Sequence, residues 1–216
     1  MDDGEEGAAA GWLKRDHSAP EDRNHVTPVE PGTFLVASPT LQDPNFARTV
    51  VLICEHSDQG SMGLVINRPS EVGLKEALAG VAPPPLPEAR LFLGGPVQRQ
   101  ALLVLHRIAA AVAGAQDVVD GISIGGDMQQ LLAALTELTA IPATTPPAEI
   151  RFYAGYAGWG AGQLDAELES GSWITCPGTA AHVFTADCEL LWERVLRELG
   201  PEYARLTTVP PDPRVN

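Results

Sequence analysis

The sequence predicts an α+β fold, one domain on a mainly antiparallel sheet, and three observations carry the prediction. Short β-branched segments bounded by turn residues recur along the chain. The link between two of them, Ser57-Asp58-Gln59-Gly60-Ser61, has the length and the glycine of a hairpin loop. Helical periodicity appears in a few places and in mixed order with the strands, unlike the regular alternation of a doubly wound sheet. At 216 residues with 44% hydrophobic residues, the chain can bury one substantial core. We expect an acidic, disordered extension over 1–31, the domain over 32–206 and a tail over 207–216.

Met1–Pro31 is rich in Asp, Glu, Gly, Ala and Pro and lacks periodicity, so burial there would not offset the entropy of ordering. Thr33–Ser38, Thr49–His56 and Met62–Arg68 read as strands, the last two pairing as a hairpin. A short helix is expected around Leu74–Leu78, followed by the proline linker APPPLPE. Ala89–Val97 and Ala101–Arg107 look like a strand pair bent by Gly94-Gly95-Pro96. DVVDGISIGGD reads as one further strand. Asp127 stands before MQQLLAALTEL with Gln130 three residues on, so the carboxylate should cap the helix while the Gln reaches back. Met128, Leu131, Leu132 and Leu135 give that helix an apolar stripe.

After a second proline linker, IPATTPPAE, comes RFYAGYAGWGAGQLDAELESGSW (Arg151–Trp173). Two Tyr, two Trp, four close glycines and three carboxylates fall within it. Phe152, Tyr153 and Tyr156 suit a strand, the glycines at 155, 158, 160 and 162 a loop, and Gln163–Glu169 a helix. Phosphate binding at this loop is disfavoured, because GxGxxG spacing is absent and no Lys or Arg occurs from Phe152 to Glu193. The glycines are better read as letting Trp159 and the strand pack closely. Ser172–Gly178 is a late strand. Asp187–Leu199 is the clearest helix, with Cys188, Leu191, Trp192, Val195 and Leu199 on one face, stopped by Gly200-Pro201.

The formal net charge of −14 and pI near 4.6 argue against nucleic-acid or anionic-membrane partners, both of which need a basic footprint. Met1–Pro31 holds eight acidic and three basic residues, so the remainder keeps −9. Apolar runs reach about ten residues, well under the roughly 20 needed to span a bilayer. Three cysteines without CxxC spacing and an N-terminus starting MDDGEE fit a reducing cytoplasm. Cys54 and Cys188 read as core, and Cys176, before Pro177-Gly178, as the accessible thiol. His56 and His106 could converge, yet no metal-ligand spacing such as HExxH is present, and no metal or other cofactor is implied. No GxSxG or Ser-x-x-Lys motif appears. Gln163 and Glu167 share a helix face while Asp165 points elsewhere. Arg48, Asn67 and Arg68 near strand ends are candidates for ion pairs to the acidic helix or for an anionic ligand.

DPNFARTVVLICEH followed by GSMGLVINRP, LFLGGPV followed by Val104–His106, and GYAGWGAGQLDAEL with Trp173 after it resemble the bacterial AlgH/YqgE family over roughly Pro31–Gly200. The resemblance implies a curved, largely antiparallel sheet flanked by a few helices. It brings no established catalytic residues or cofactor, and the position of Asp165 is usually Glu in that family. A regulator label attaches to the family through alginate synthesis, but an acidic body without a helix-turn-helix argues against direct DNA binding. The expectation is a binding or regulatory protein that recognises a small ligand or protein partner. Its surface would gather Asp43, Arg48, Asn67, Arg68, Gly94, Gly95, Trp159, Gln163, Asp165 and Glu167. The alternative is a hydrolytic or redox enzyme using His56, His106 or Cys176 with the acidic helix.

Overall fold

The computed structural model describes residues 28–78, 90–108, 112–139 and 149–210, without the side chains of 135–139. The expected extension up to residue 27, the APPPLPE linker, all but Glu149 of the second linker, Leu135 of the apolar stripe and residues 211–216 of the tail lie outside that description.

The strands are β1 (Thr33–Ala37), β2 (Val50–Ser57), β3 (Gly60–Val65), β4 (Pro69–Gly73), β5 (Arg90–Leu93), β6 (Val97–Arg107), β7 (Ala115–Val119), β8 (Ile122–Gly125), β9 (Glu149–Gly160) and β10 (Trp173–Pro177). The helices are α1 (Leu74–Ala77), α2 (Met128–Thr139), α3 (Gln163–Glu169), α4 (Ala180–Val183), α5 (Leu191–Leu199) and α6 (Pro201–Ala204). All ten strands join one sheet, in the order β10-β1-β2-β3-β9-β6-β8-β7, with β4 and β5 alongside. Every pairing is antiparallel except β5 with β9, as the hairpin-length links predict.

The strand β9 organises the sheet. Its C-terminal half pairs with β3, its N-terminal half with β6, and Tyr153 and Ala154 with β5 on the remaining edge. Because side chains alternate across a strand, the sheet divides the core by face. Phe34, Val36, Val50, Leu52 and Leu64 pack with Leu191, Trp192, Val195 and Leu196 of α5 on one side. Leu35, Ala37, Val51, Ile53 and Val65 pack with Ala157, Trp159, Leu164 and Trp173 on the other. A third cluster joins Leu74, Leu78, Val104, Phe152, Leu131 and Leu132 under α1 and α2.

Several expectations are corrected. The segments now seen as β5 and β6 do not pair with each other, because Gly94-Gly95-Pro96 carries the chain across β9, leaving β5 on one edge and β6 on the other. Pro69–Gly73, for which no element is expected, is itself a strand pairing with β5. DVVDGISIGGD is two strands, β7 and β8, joined at Asp120-Gly121 with φ of +52° and +71°. That is the Asp-Gly turn of a tight hairpin, a signal present in the sequence. Gly155, Gly158 and Gly160 lie within β9 rather than in a loop, leaving Gly162 at the turn into α3. Asp127 caps α2 through Gln130 N–H at 2.9 Å, but the Gln130 side chain accepts from Ala113 N–H at 2.9 Å instead of reaching back. The Asp187–Leu199 helix opens with a 3-10 turn at Cys188–Leu190 and becomes α-helical at Leu191.

Candidate functional site

The residues singled out from the sequence resolve into two neighbouring assemblies joined by the loop 38–49. In the first, Glu167 on α3 ties two strands together. Its Oε2 accepts the indole N–H of Trp159 from β9 at 2.9 Å and that of Trp173 from β10 at 2.8 Å. Its Oε1 accepts Gln163 Nε2 at 3.0 Å, and Gln163 Oε1 accepts Gly160 N–H at 3.1 Å. The four-residue spacing of Gln163 and Glu167 aligns them on one helix face, as read from the sequence. Phe46 closes the group, stacked on Trp159 at 6.2 Å and edge-on to Trp173 at 5.5 Å. Both indoles are 5% exposed and their donors are satisfied, so this group fastens α3 to the sheet. The Asp165 side chain is exposed and makes no hydrogen bond to the described residues.

The second assembly is the loop's anchorage. Arg68 donates Nη1 to Asn45 O at 2.6 Å, and Nη2 to Pro44 O at 3.1 Å and Ala47 O at 3.0 Å. Burial lowers its pKa, and the nearby Asp43 carboxylate pushes the other way. Asn67 accepts Val50 N–H at 2.9 Å and donates to Arg48 O at 3.0 Å. Asp43 Oδ1 accepts the backbone and side-chain N–H of Asn45, at 2.8 and 3.0 Å. Arg48, with φ of +55°, points away from these groups: it lies over the Trp192 ring at 5.1 Å and donates to Val209 O at 2.7 Å. Arg48 and Asn67 therefore hold backbone and do not pair with the acidic helix.

Gly94 and Gly95 are required by close approach. A Cβ on Gly95 would stand 2.2 Å from the Tyr156 carbonyl carbon, and one on Gly94 2.2 Å from Gly155 O. Gly155 in turn has φ of +69°, and a Cβ there would meet Gly95 O and Val97 O at 2.7 Å. Opposite Gly155 the β6 ladder jumps from Val97 to Leu102, with Gln98 at φ +46°. A bulge of this kind re-aims a side chain. Here it swings Arg99 out so that its Nη2 donates to Asn45 Oδ1 at 3.3 Å.

Sequence reasoning missed both Arg99 and Asn45, and no local pattern marks that bulge. Between the two arginines opens a cleft of about 160 Å³, lined by Asn45, Val65, Arg68, Leu93, Gly95, Pro96, Arg99 and Ala154. A wider, shallow concavity of about 710 Å³ lies toward the Gly60 end of β3, with Glu55, His56, Met62, Leu103, Tyr156 and Trp159 among its walls. Of the predicted set, Arg68 and Gly95 thus share the cleft. Trp159, Gln163 and Glu167 sit beyond the loop in the bonded indole group.

The residues of the enzymatic alternative are not gathered. His106 stands opposite Ile150 at the start of β9, whereas His56 stands opposite Ser61, itself opposite Trp159 near the strand's end. Nine strand residues separate those positions, on the order of 30 Å. The exposed His56 Nδ1 lies 2.7 Å from Ser61 Oγ. His106 is 2% exposed with neither ring nitrogen hydrogen-bonded, and desolvation lowers its pKa despite the nearby Gly125 carbonyl and Asp117. Cys176, expected to be accessible, is 5% exposed because Phe34 pairs with it from β1 and α5 covers that face. Burial pushes its thiol up to about 11. Cys54 and Cys188 are core, as expected, and burial raises the Cys54 thiol further still. The described residues contain no group of three or more His, Cys, Asp or Glu side chains placed to hold a metal ion.

The fold is a single α+β domain with a curled, largely antiparallel sheet wound about one long strand. Its described helices include none long and apolar enough to cross a membrane. Comparison with known proteins identifies the lineage: the chain belongs to the AlgH-like family (DUF179), whose model matches residues 34–204. A UPF0301 protein of Chlorobaculum tepidum is 42% identical over 193 residues, covering 89% of this chain and 99% of its own. Another, from Thermobifida fusca, is 40% identical and covers 86% of this chain and 94% of its own. The solution structure of the AlgH protein from Pseudomonas aeruginosa is similar at 35% identity and a TM-score of 0.62, covering 90% of this chain and 97% of that one. A Corynebacterium diphtheriae crystal structure is 26% identical with a TM-score of 0.64, covering 82% and 91%. The names UPF0301 and AlgH-like state no reaction.

Proposed function

We propose that this chain is a cytoplasmic binding or regulatory protein that recognises an anionic small ligand, or an anionic segment of a protein partner, at the Arg68–Arg99 cleft. The observation that carries the reading is two guanidinium groups meeting on Asn45, at 2.6 and 3.3 Å, beside an indentation in a molecule of net charge −14. On so acidic a surface, paired cations at a concavity form a local attractive spot for an anion. Three irregular backbone features converge there: the Gly94–Gly95 bend, the positive φ of Gly155 and the bulge with Gln98. Sparse backbone conformations concentrate where side chains must be held for a task.

The test is a thermal-shift screen of the full chain against metabolite-sized anions, repeated with Arg99→Ala. An anion present at 100 times its dissociation constant should stabilise the wild type by about 2.7 kcal/mol. The variant should lose that gain while keeping its ligand-free Tm, since Arg99 is exposed. If no anion stabilises the wild type in an Arg99-dependent way, the reading fails.

A further inference from the structure

We infer that the anion taken by this cleft is a monocarboxylate on a short aliphatic chain, an assignment that rests on reading the cleft as an anion site. The donors point to a planar acceptor. Arg68 directs Nη1 and Nη2 at three loop carbonyls, so it lends charge while its fork is largely occupied. Arg99 is exposed, and its 3.3 Å contact to Asn45 Oδ1 is long enough to be exchanged for a better acceptor. The remaining lining, Asn45, Val65, Leu93, Gly95, Pro96 and Ala154, holds no Lys, Ser or Thr. Once its long Asn45 contact is exchanged, the Arg99 fork matches the two oxygens of a carboxylate, as it would match two of a phosphate. A phosphate dianion would need further donors to satisfy its third and fourth oxygens.

The walls point to an aliphatic remainder. Val65, Leu93, Pro96 and Ala154 are all apolar, and Leu93, at 48% exposed, is among the few large hydrophobic side chains left open to solvent among the described residues. A bound chain lying along Leu93 would remove that surface from water. The cleft volume of about 160 Å³ sets the size. At about 30 Å³ for a water-sized group, it holds about five non-hydrogen groups, the size of propanoate, with butanoate at the limit. The same chemistry is offered by a free short-chain acid and by the C-terminal carboxylate of a peptide ending in a small aliphatic residue.

Ligand-observed NMR on the full chain tests this with straight-chain acids from acetate to octanoate, butanamide, inorganic phosphate, and Gly-Gly-Val as free acid and as amide. We expect affinity to rise about fourfold per methylene up to three or four carbons and then to level off. Butanamide, the peptide amide and phosphate should not bind. Arg99→Lys, which keeps the charge and loses the fork, should weaken binding at least tenfold, and Leu93→Gln should flatten the chain-length dependence. Tighter binding of the peptide acid than of the short acids would assign the source to a protein C terminus. The reverse would assign it to a free acid, and either outcome supports the carboxylate. Binding of phosphate without carboxylates, lost in Arg99→Ala, would overturn the carboxylate assignment and leave the anion site standing. No Arg99-dependent binding of any of these probes would overturn the carboxylate assignment, and the wider anion screen then decides the site.

Discussion

Replacing Glu167 by alanine tests whether the tryptophan motif is a fastening. The carboxylate accepts two indole N–H groups on one oxygen, at 2.9 and 2.8 Å, from rings only 5% exposed. A hydrogen bond to a charged group contributes about 1.5–3 kcal/mol, and its loss leaves a buried donor without water. Two such bonds give about 3–6 kcal/mol in principle. Glu167 is itself only half-buried, so water can reach part of the gap, and we expect about 3 kcal/mol. For a domain of this size that corresponds to a fall in Tm of about 6–12 °C. Urea unfolding followed by tryptophan emission should show a lower midpoint with unchanged slope. Glu167→Gln, which retains acceptor oxygen and loses the charge, should cost about half as much. A loss under about 0.5 kcal/mol for Glu167→Ala would refute the fastening and return the carboxylate to the list of ligand-facing groups.

Gly95→Ala should prevent stable folding, because its Cβ would stand 2.2 Å from the Tyr156 backbone at φ +155°; far-UV circular dichroism and soluble yield read this directly. Arg68→Ala releases three loop carbonyls and should speed amide exchange of Phe46 and Ala47 at least tenfold, with Arg68→Lys intermediate. Buried, unbonded His106 has a folded-state pKa below its ordinary 6.5, so the unfolded chain binds the extra proton. Stability from the neutral ring is then full above pH 6.5 and is lost as pH falls below it, by at most about 1.36 kcal/mol per pH unit. Unfolding midpoints of wild type and His106→Leu between pH 5 and 7.5 should show that slope only in the wild type. A thiol reagent at pH 8 should label none of Cys54, Cys176 and Cys188 in the folded protein and all three in urea, since each is buried and burial pushes the Cys176 thiol up to about 11.

Much of the local structure was readable. Asp127 before an apolar-periodic run marked the start of α2, Gly200 marked the end of α5, and the four-residue spacing of Gln163 and Glu167 put both on one face. Other features lay in the sequence with their signal unread, such as the Asp120-Gly121 turn between β7 and β8. Arg99 had no such signal. Its direction depends on a bulge that faces Gly155, fifty-six residues away across the sheet.

The sequence by itself determined the elements, the apolar faces and the α+β class, because turn chemistry, capping and side-chain periodicity act within a few residues of chain. Only the tertiary structure decided that β5 and β6 part around β9, that Cys176 is sealed by β1 and α5, and that Arg68 is spent on the loop while Arg99 is left to face the cleft. Those outcomes depend on which distant backbones come within a few ångströms of one another. Contact energies between residues far apart settle that, and they leave no periodic trace along the chain.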